Sequence, residues 1–92
     1  MSFTLVFSKT ALKDIDKHKK SGNKSILKKL SQLFNELMSH PHDGTGKPEM
    51  LKGNLAGFHS RRINKEHRLV YRIDEAGNTV HIVSLYYHYG DK

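Results

Sequence analysis

The sequence predicts a small α+β domain: an antiparallel β-sheet with two N-terminal helices packed on one face. Two observations lead to this fold class. Apolar residues recur at helical spacing from Ile26 to Met38, and the second half of the chain contains strand-like segments joined by short connections. A length of 92 residues is that of one domain, so residues 1–92 are expected to form a single folding unit.

The N-terminal part is expected to form a strand and two helices. The segment from Phe3 to Phe7 is β-branched and aromatic, which is typical of a strand, and Ser8 suits a helix N-cap. A lysine-rich first helix follows and ends at Ser21-Gly22-Asn23. Its apolar stripe is expected to be Ala11, Leu12 and Ile15. The second helix ends at Ser39-His40-Pro41, and its stripe comprises Ile26, Leu27, Leu30, Leu33, Phe34, Leu37 and Met38.

The C-terminal part is expected to form the sheet. Residues 40–57 hold both prolines and four of the seven glycines, so they predict an irregular loop with at most a short strand near Met50-Leu51. The strand-like segments that follow are Phe58 to Ile63, His67 to Ile73 and Thr79 to Tyr89. Alternation in the middle segment places Leu69 and Tyr71 toward the helices and Arg68 on the opposite face. Both faces of the last segment are partly apolar, so its orientation stays open.

The composition restricts the function classes. The absence of cysteine excludes disulfides, thiolate metal sites and a cysteine nucleophile, and it fits a reducing compartment such as the cytoplasm. No apolar run approaches the roughly 20 residues of a membrane span, so no membrane association is expected.

The charge points to a polyanionic partner. The net charge is +7, and the partner could be nucleic acid or an acidic protein. Residues 9–29 hold eight lysines that fit a solvated helix face. Residues 47–72 hold four arginines, whose planar guanidinium groups suit phosphate recognition.

Three residues have the chemistry needed to cleave RNA. Attack of a 2′-OH on the adjacent phosphate requires a base, a cation for the growing negative charge and an acid for the leaving oxygen. Glu49, Arg68 and His88 could fill these places, although residue types alone leave many other combinations open. The histidines His40 and His42 lack an accompanying carboxylate cluster and zinc-ligand spacing, so neither a metal nor a cofactor is predicted.

The strongest signal is a combination of motifs. The stretch GKPEMLKGNLAGF at residues 46–58 is followed by SRRI at 60–63, EHRLVY at 66–71 and YHY at 87–89. Over the whole chain this pattern resembles the YoeB/Txe toxins of the RelE group of type II toxin–antitoxin systems. The resemblance implies a RelE-like fold and a metal-independent mRNA interferase, an endoribonuclease that cuts messenger RNA in the ribosomal A site and so arrests translation.

The resemblance also implies roles for individual residues. It makes Glu49 the general base, Arg68 the stabiliser of the phosphate in the transition state and His88 the general acid, while Tyr89 orients the substrate or assists proton transfer. The expected RNA-binding residues are Lys47, Lys52, Arg61 and Arg62. Since adjacent strand positions face opposite sides, at most one of the two neighbouring arginines is expected to meet RNA on that surface.

The chain departs from the family pattern at several positions. His59 stands where a tryptophan or tyrosine commonly precedes SRRI, Met50 replaces a proline, and Tyr86 replaces a basic residue. Residues 90–92 extend past the usual end. None of these departures falls on the three chemical groups.

The expected partners follow from the charge and the resemblance. The cognate antitoxin should be a YefM/Axe-like chain, acidic and partly disordered, that folds on binding this basic surface. The other expected partners are the ribosome and messenger RNA, with operator DNA bound only through the antitoxin complex; a homodimer is open by analogy.

Two alternative functions remain open from the sequence. One is a non-catalytic module that blocks translation by occupying the ribosome, and the other is mainly a DNA-binding corepressor together with the antitoxin. Glu49 favours the enzyme, because a pure RNA binder would gain more from another cation at this place in a basic stretch.

Overall fold

The computed structural model of the protein describes residues 2–46 and 48–87, so the predictions for Lys47, His88 and Tyr89 lie outside the described residues. The elements in chain order are β1 (Thr4–Phe7), α1 (Lys9–Ser21), α2 (Lys24–Ser39), β2 (Glu49–Met50), a 3-10 turn (Gly53–Leu55), β3 (His59–Arg62), β4 (Arg68–Asp74) and β5 (Thr79–Tyr87). The predicted helices and strands are confirmed, including the short strand in the long loop.

The five strands form one sheet in the order β1-β5-β4-β3-β2. Strands β2 to β5 pair antiparallel, as expected from their short connections. The α+β class is confirmed, but the sheet is mixed because β1 runs parallel to β5. All the other elements lie between these two strands in the chain, so no short turn dictates their relative direction.

The helices begin and end where local chemistry favours it. The Ser8 hydroxyl oxygen accepts the Ala11 N–H at 2.9 Å and caps α1, which ends at Gly22 in the left-handed region with φ of 73°. The Asn23 side chain accepts the Ile26 N–H at 3.1 Å and caps α2. Within residues 2–46 and 48–87, neither helix combines the length and apolar character that a membrane span would need.

The core lies between the helices and one face of the sheet. It contains the buried residues Ala11, Ile26, Leu30, Leu33, Leu37, Ile63, Leu69, Tyr71, Val80, Ile82 and Leu85. The expected stripe of α1 is wrong at one position, because Leu12 is exposed and the buried positions are Ala11, Asp14 and His18. These three recur at helical spacing and form one face, from which Leu12 is rotated away.

Irregularities in the pairing of β5 determine which of its side chains face the core. Ile82 lies opposite Tyr71, Ser84 opposite Val70 and Tyr87 opposite Arg68, so the register shifts twice along the strand pair. Extra residues of this kind break strict alternation. Val80, Ile82 and Leu85 therefore all reach the core, although their spacing does not fit a regular strand.

Candidate active site

Glu49 and Arg68 meet on the sheet face opposite the helices. Glu49 lies opposite Ser60, which lies opposite Val70 on β4, and directly paired residues share a face. Arg68 shares that face with Val70, because the intervening Leu69 points into the core. The Glu49 Oε1 and Arg68 Nη1 atoms are 3.9 Å apart.

The Glu49–Arg68 pair is close but not locked together. A separation of 3.9 Å is longer than a direct hydrogen bond, and the Glu49 side chain is 46% exposed whereas that of Arg68 is 15% exposed. The half-exposed carboxylate of Glu49 can therefore be reached from solvent, with the Arg68 guanidinium beside it. This arrangement suits attack on a phosphate by a neighbouring hydroxyl group.

The C-terminal strand approaches the same place. The backbone of Tyr87 pairs with that of Arg68 across the β4–β5 ladder. Tyr87 precedes His88 and Tyr89, the expected acid and its neighbour, which both lie outside the described residues. The strand register thus places the backbone of Tyr87 beside that of Arg68.

Two further predicted RNA-binding residues, Arg62 and Lys52, are exposed. Arg62 lies directly opposite Arg68 across the β3–β4 ladder, and Lys52 follows β2. Like charges opposite each other in a strand pair repel, and a bound anion would relieve this repulsion. The two arginines therefore form a surface suited to an anion. Lys47, the remaining lysine of the predicted set, lies outside the described residues.

The prediction that Arg61 binds RNA is wrong, because its side chain has 0% exposure and cannot contact RNA in this conformation. Its Nη1 donates to Glu36 Oε1 at 2.9 Å and its Nε donates to the Tyr71 hydroxyl at 3.1 Å. Its Nη2 donates to the backbone carbonyls of Pro41 and Asp43 at 3.1 and 2.6 Å. Arg61 is thus a structural residue, and the exposed arginine of the SRRI motif is its neighbour Arg62.

The contacts of Glu36 and Arg61 fix the loop that leads to Glu49. Glu36 also accepts the Thr45 N–H at 2.9 Å. Burial raises the pKa of Glu36, but the Thr45 hydrogen bonds and the Arg61 charge outweigh it and hold the pKa below its ordinary value. Gly44 has a φ of 132°, at which a side chain is strained, and a Cβ there would lie 2.7 Å from Arg61 Nη1, so that the guanidinium would have to shift.

Glu36 was not among the sequence-based candidates. The available signal was its place beside the buried positions Leu33 and Leu37 of α2, where a carboxylate needs a partner. Periodicity shows that such a residue lies at the edge of the core. It does not show which cation reaches it.

A cleft of about 170 Å³ adjoins Glu49 at the β2 edge of the sheet. Its lining residues are His42, Pro48, Glu49, Met50, His59 and Tyr71. The imidazole of His59 stacks on the Tyr71 ring with centroids 5.5 Å apart. Burial lowers the pKa of His59, and the nearby charges of His42 and Arg61 lower it further, so the neutral ring is favoured. The departure at position 59 therefore leaves an aromatic contact with Tyr71 in place.

Two of the described histidines, in the loop between α2 and β2 and its neighbourhood, each pair with a single carboxylate. His40 lies beside Asp43 and His42 beside Glu75. In residues 2–46 and 48–87, no group of three or more histidine, cysteine, aspartate or glutamate side chains is disposed to hold a metal ion.

Comparison with known proteins assigns the chain to a family. Residues 7–89 match the YoeB-like toxin family of bacterial type II toxin–antitoxin systems. Toxin YoeB of Synechocystis is 49% identical over 67 residues, which cover 73% of this chain and 76% of that protein.

Solved structures agree. The YoeB/ParE toxin from Agrobacterium tumefaciens superposes with a TM-score of 0.86 at 33% identity, over 95% of this chain and 100% of that one. YoeB from Staphylococcus aureus has been solved as a dimer and in complex with YefM, with TM-scores of 0.81 and 0.78 at 41% and 42% identity. Both of these cover 97% of this chain and 100% of the matched chain. The chain therefore belongs to the YoeB-like toxins of bacterial type II toxin–antitoxin systems.

Proposed function

We propose that this toxin is a ribosome-dependent mRNA interferase, which cleaves messenger RNA in the A site without a metal ion and so inhibits translation in the cytoplasm. The observation that carries the proposal is the 3.9 Å approach of Glu49 to Arg68 on an arginine-bearing sheet face. Both residues stand in the family motifs, and the fold brings them together from two different strands.

The proposed reaction is a transesterification within the RNA. Glu49 takes the proton of the 2′-OH, whose oxygen attacks the adjacent phosphorus, and Arg68 stabilises the charge on the phosphorane. His88 gives a proton to the leaving 5′-oxygen as the P–O bond breaks, and Tyr89 orients the phosphate. The products are a 2′,3′-cyclic phosphate and a 5′-hydroxyl end.

The proposed RNA contacts are the cations around Glu49. Arg62 lies opposite Arg68 in the strand pair and is exposed, as is Lys52. With Lys47 they would hold phosphates on either side of the cleaved bond, since guanidinium and ammonium groups bind phosphate through charge-assisted hydrogen bonds. A neutralised phosphate on each side would also limit the freedom of the attacked nucleotide.

We infer that the silencing partner is an antitoxin of the YefM kind. The solved complex of the S. aureus relative contains YefM, and the net charge of +7 favours an acidic chain that covers the basic face. Operator DNA would then be bound through the antitoxin in that complex. A homodimer is proposed by analogy with the S. aureus YoeB dimer.

The test is primer extension on a defined mRNA in a translation extract, with and without ribosomes. The variants are Glu49→Gln and Arg68→Lys, with Glu66→Gln as the matched control, because Glu66 is an exposed carboxylate in the same basic stretch. We expect ribosome-dependent cuts at the A-site codon with the wild type and the control, and their loss in the other two variants. Arrested translation with an intact message would overturn the enzyme in favour of simple occupancy of the ribosome.

A further inference from the structure

The buried face of α1 carries two ionisable side chains where apolar residues would pack more favourably. Asp14 is 4% exposed and His18 is 0% exposed, one helical turn apart. Burying such groups costs free energy unless hydrogen bonds compensate. The hydrogen-bond partners of Asp14 and His18 therefore indicate what these side chains do.

Both side chains bond the backbone of the same residue on β5. Asp14 Oδ2 accepts the N–H of Leu85 at 2.9 Å, and His18 Nε2 lies 3.0 Å from the carbonyl oxygen of Leu85. Because a carbonyl can only accept, the proton of the His18 ring is on Nε2. The His18 ring also stacks on Tyr86 with centroids 4.2 Å apart.

Leu85 needs these partners because it lies in an irregular part of the strand pair. Ser84 lies opposite Val70 and Tyr87 opposite Arg68, so Leu85 and Tyr86 together face only one residue of β4. A bulge of this kind leaves a backbone unit outside the ladder. Asp14 and His18 supply the acceptor and the donor that the neighbouring strand does not.

The bulge stands just before the predicted catalytic end of the chain. Leu85 is followed by Tyr86 and Tyr87, and then by His88, the acid of the proposed reaction. A bulge bends a strand and redirects the chain that follows it. Side chains that fix the bulge thus fix the register in which Tyr87 pairs with Arg68.

We propose that Asp14 and His18 are positioning residues that clamp the backbone of Leu85 and thereby hold the end of β5, where Tyr87 pairs with Arg68, in the register that catalysis needs. The proposal rests on the proposed RNA cleavage. It assigns a part in the reaction to two residues of α1 that the family motifs of the sequence do not include.

The clamp can be tested by changing the hydrogen bonds with little change in shape. Asp14→Ala removes the acceptor, whereas Asp14→Asn keeps a carbonyl oxygen there. His18→Phe keeps an aromatic ring against Tyr86 but removes the donor, whereas His18→Gln restores an N–H near the position of Nε2. The clamp predicts that the first variant of each pair is impaired and that the second regains most of the activity.

Leu37→Ala is the control for loss of stability alone. Leu37 is fully buried in α2, and the N–H of Phe3 donates to the carbonyl of its neighbour Met38 at 2.7 Å. This contact puts that end of α2 beside β1 next to the start of β5, away from Leu85. All variants are compared at a temperature at which circular dichroism shows them folded.

The readout is single-turnover cleavage of a defined mRNA on programmed ribosomes over a range of toxin concentrations. Asp14→Ala and His18→Phe should lose about 10- to 100-fold in the maximal rate, as misplacement of a reacting group does. The half-saturating toxin concentration should stay unchanged, because the binding surface is intact.

Two results would overturn the clamp while the wild type still cleaves RNA: full activity in Asp14→Ala and His18→Phe, or an equal loss in Leu37→Ala at equal destabilisation. If wild-type protein cleaves no RNA under these conditions, the proposed function fails and the catalytic role of the clamp fails with it. Recovery of the rate in Asp14→Asn and His18→Gln supports the clamp.

Discussion

Glu36 and Arg61 form a salt bridge with 2.9 Å between Oε1 and Nη1, across a sequence separation of 25 residues. The arginine side chain is fully buried and the glutamate side chain is 15% exposed. Together they connect α2 and β3 to the loop that precedes Glu49. Their geometry links the stability of the fold to the placement of Glu49, the proposed general base.

Replacing Glu36 by glutamine should destabilise the protein strongly. The change leaves the buried guanidinium of Arg61 without its counter-charge, and such losses cost about 3–5 kcal/mol. Urea unfolding measures the difference, with Asn35→Ala on the exposed side of the same helix as the control. A loss below about 1 kcal/mol, the range of a surface ion pair, would contradict this account.

The same residue should make stability depend on acid pH. Because the pKa of Glu36 is lower in the folded protein than its ordinary value of 4.5, its contribution is fully present above pH 4.5. It is lost as the pH falls through the folded-state pKa. The free energy of unfolding of wild type and Glu36→Gln, measured from pH 7 down to pH 3, should therefore converge in acid. A constant difference across this range would assign the effect to packing alone.

Arg68 should tolerate no substitution, not even lysine. Lysine retains the charge but lacks the planar, two-pronged donor arrangement that matches a phosphorane, so Arg68→Lys should lose about 100-fold in cleavage rate. Arg72→Lys is the matched control, since Arg72 stands four residues further along β4 and is exposed. Primer extension over a time course measures both rates. Equal rates in the two variants would remove Arg68 from the chemistry.

His59 should destabilise the protein when it gains a proton. Its pKa lies below the ordinary 6.5 because burial and the charges of His42 and Arg61 disfavour the imidazolium. The unfolded chain therefore binds a proton more readily, and stability falls as the pH drops from 6.5 toward the folded-state pKa. Urea unfolding at pH 7.5 and 5.5 should show a smaller loss for His59→Phe, which retains a ring to stack on Tyr71. Proton resonances of the His59 ring that titrate above pH 6.5 would contradict this expectation.

The order of elements was accessible from the sequence because each depends on local signals. Ser8 and Asn23 cap their helices through their own side chains, and the stripe of α2 has enough apolar residues to fix its orientation. The apolar stripe of α1 contains too few residues to determine which face of the helix is buried. With few apolar positions, the sequence did not distinguish a helix that buries Leu12 from one that buries Asp14 and His18.

Structural features that depend on residues far apart in the chain could not be predicted from the sequence. The burial of Arg61 requires Glu36 and Tyr71, and the parallel pairing of β1 requires β5 at the other end of the described chain. The resemblance named Glu49 and Arg68 as members of one site. Only the register of β2, β3 and β4 shows that they share a sheet face at 3.9 Å.

The position of β5 in the sheet determines when, during synthesis, the sheet can be completed. β5 lies between β1 and β4 in the sheet, yet the ribosome synthesises it after both. Until β5 emerges, β1 has no strand to pair with and Arg68 lacks the strand opposite it. Pairing across so long a stretch of chain also forms slowly, because a large loop must close first. The sheet face that carries Glu49 and Arg68 is therefore completed only after β5 has been synthesised.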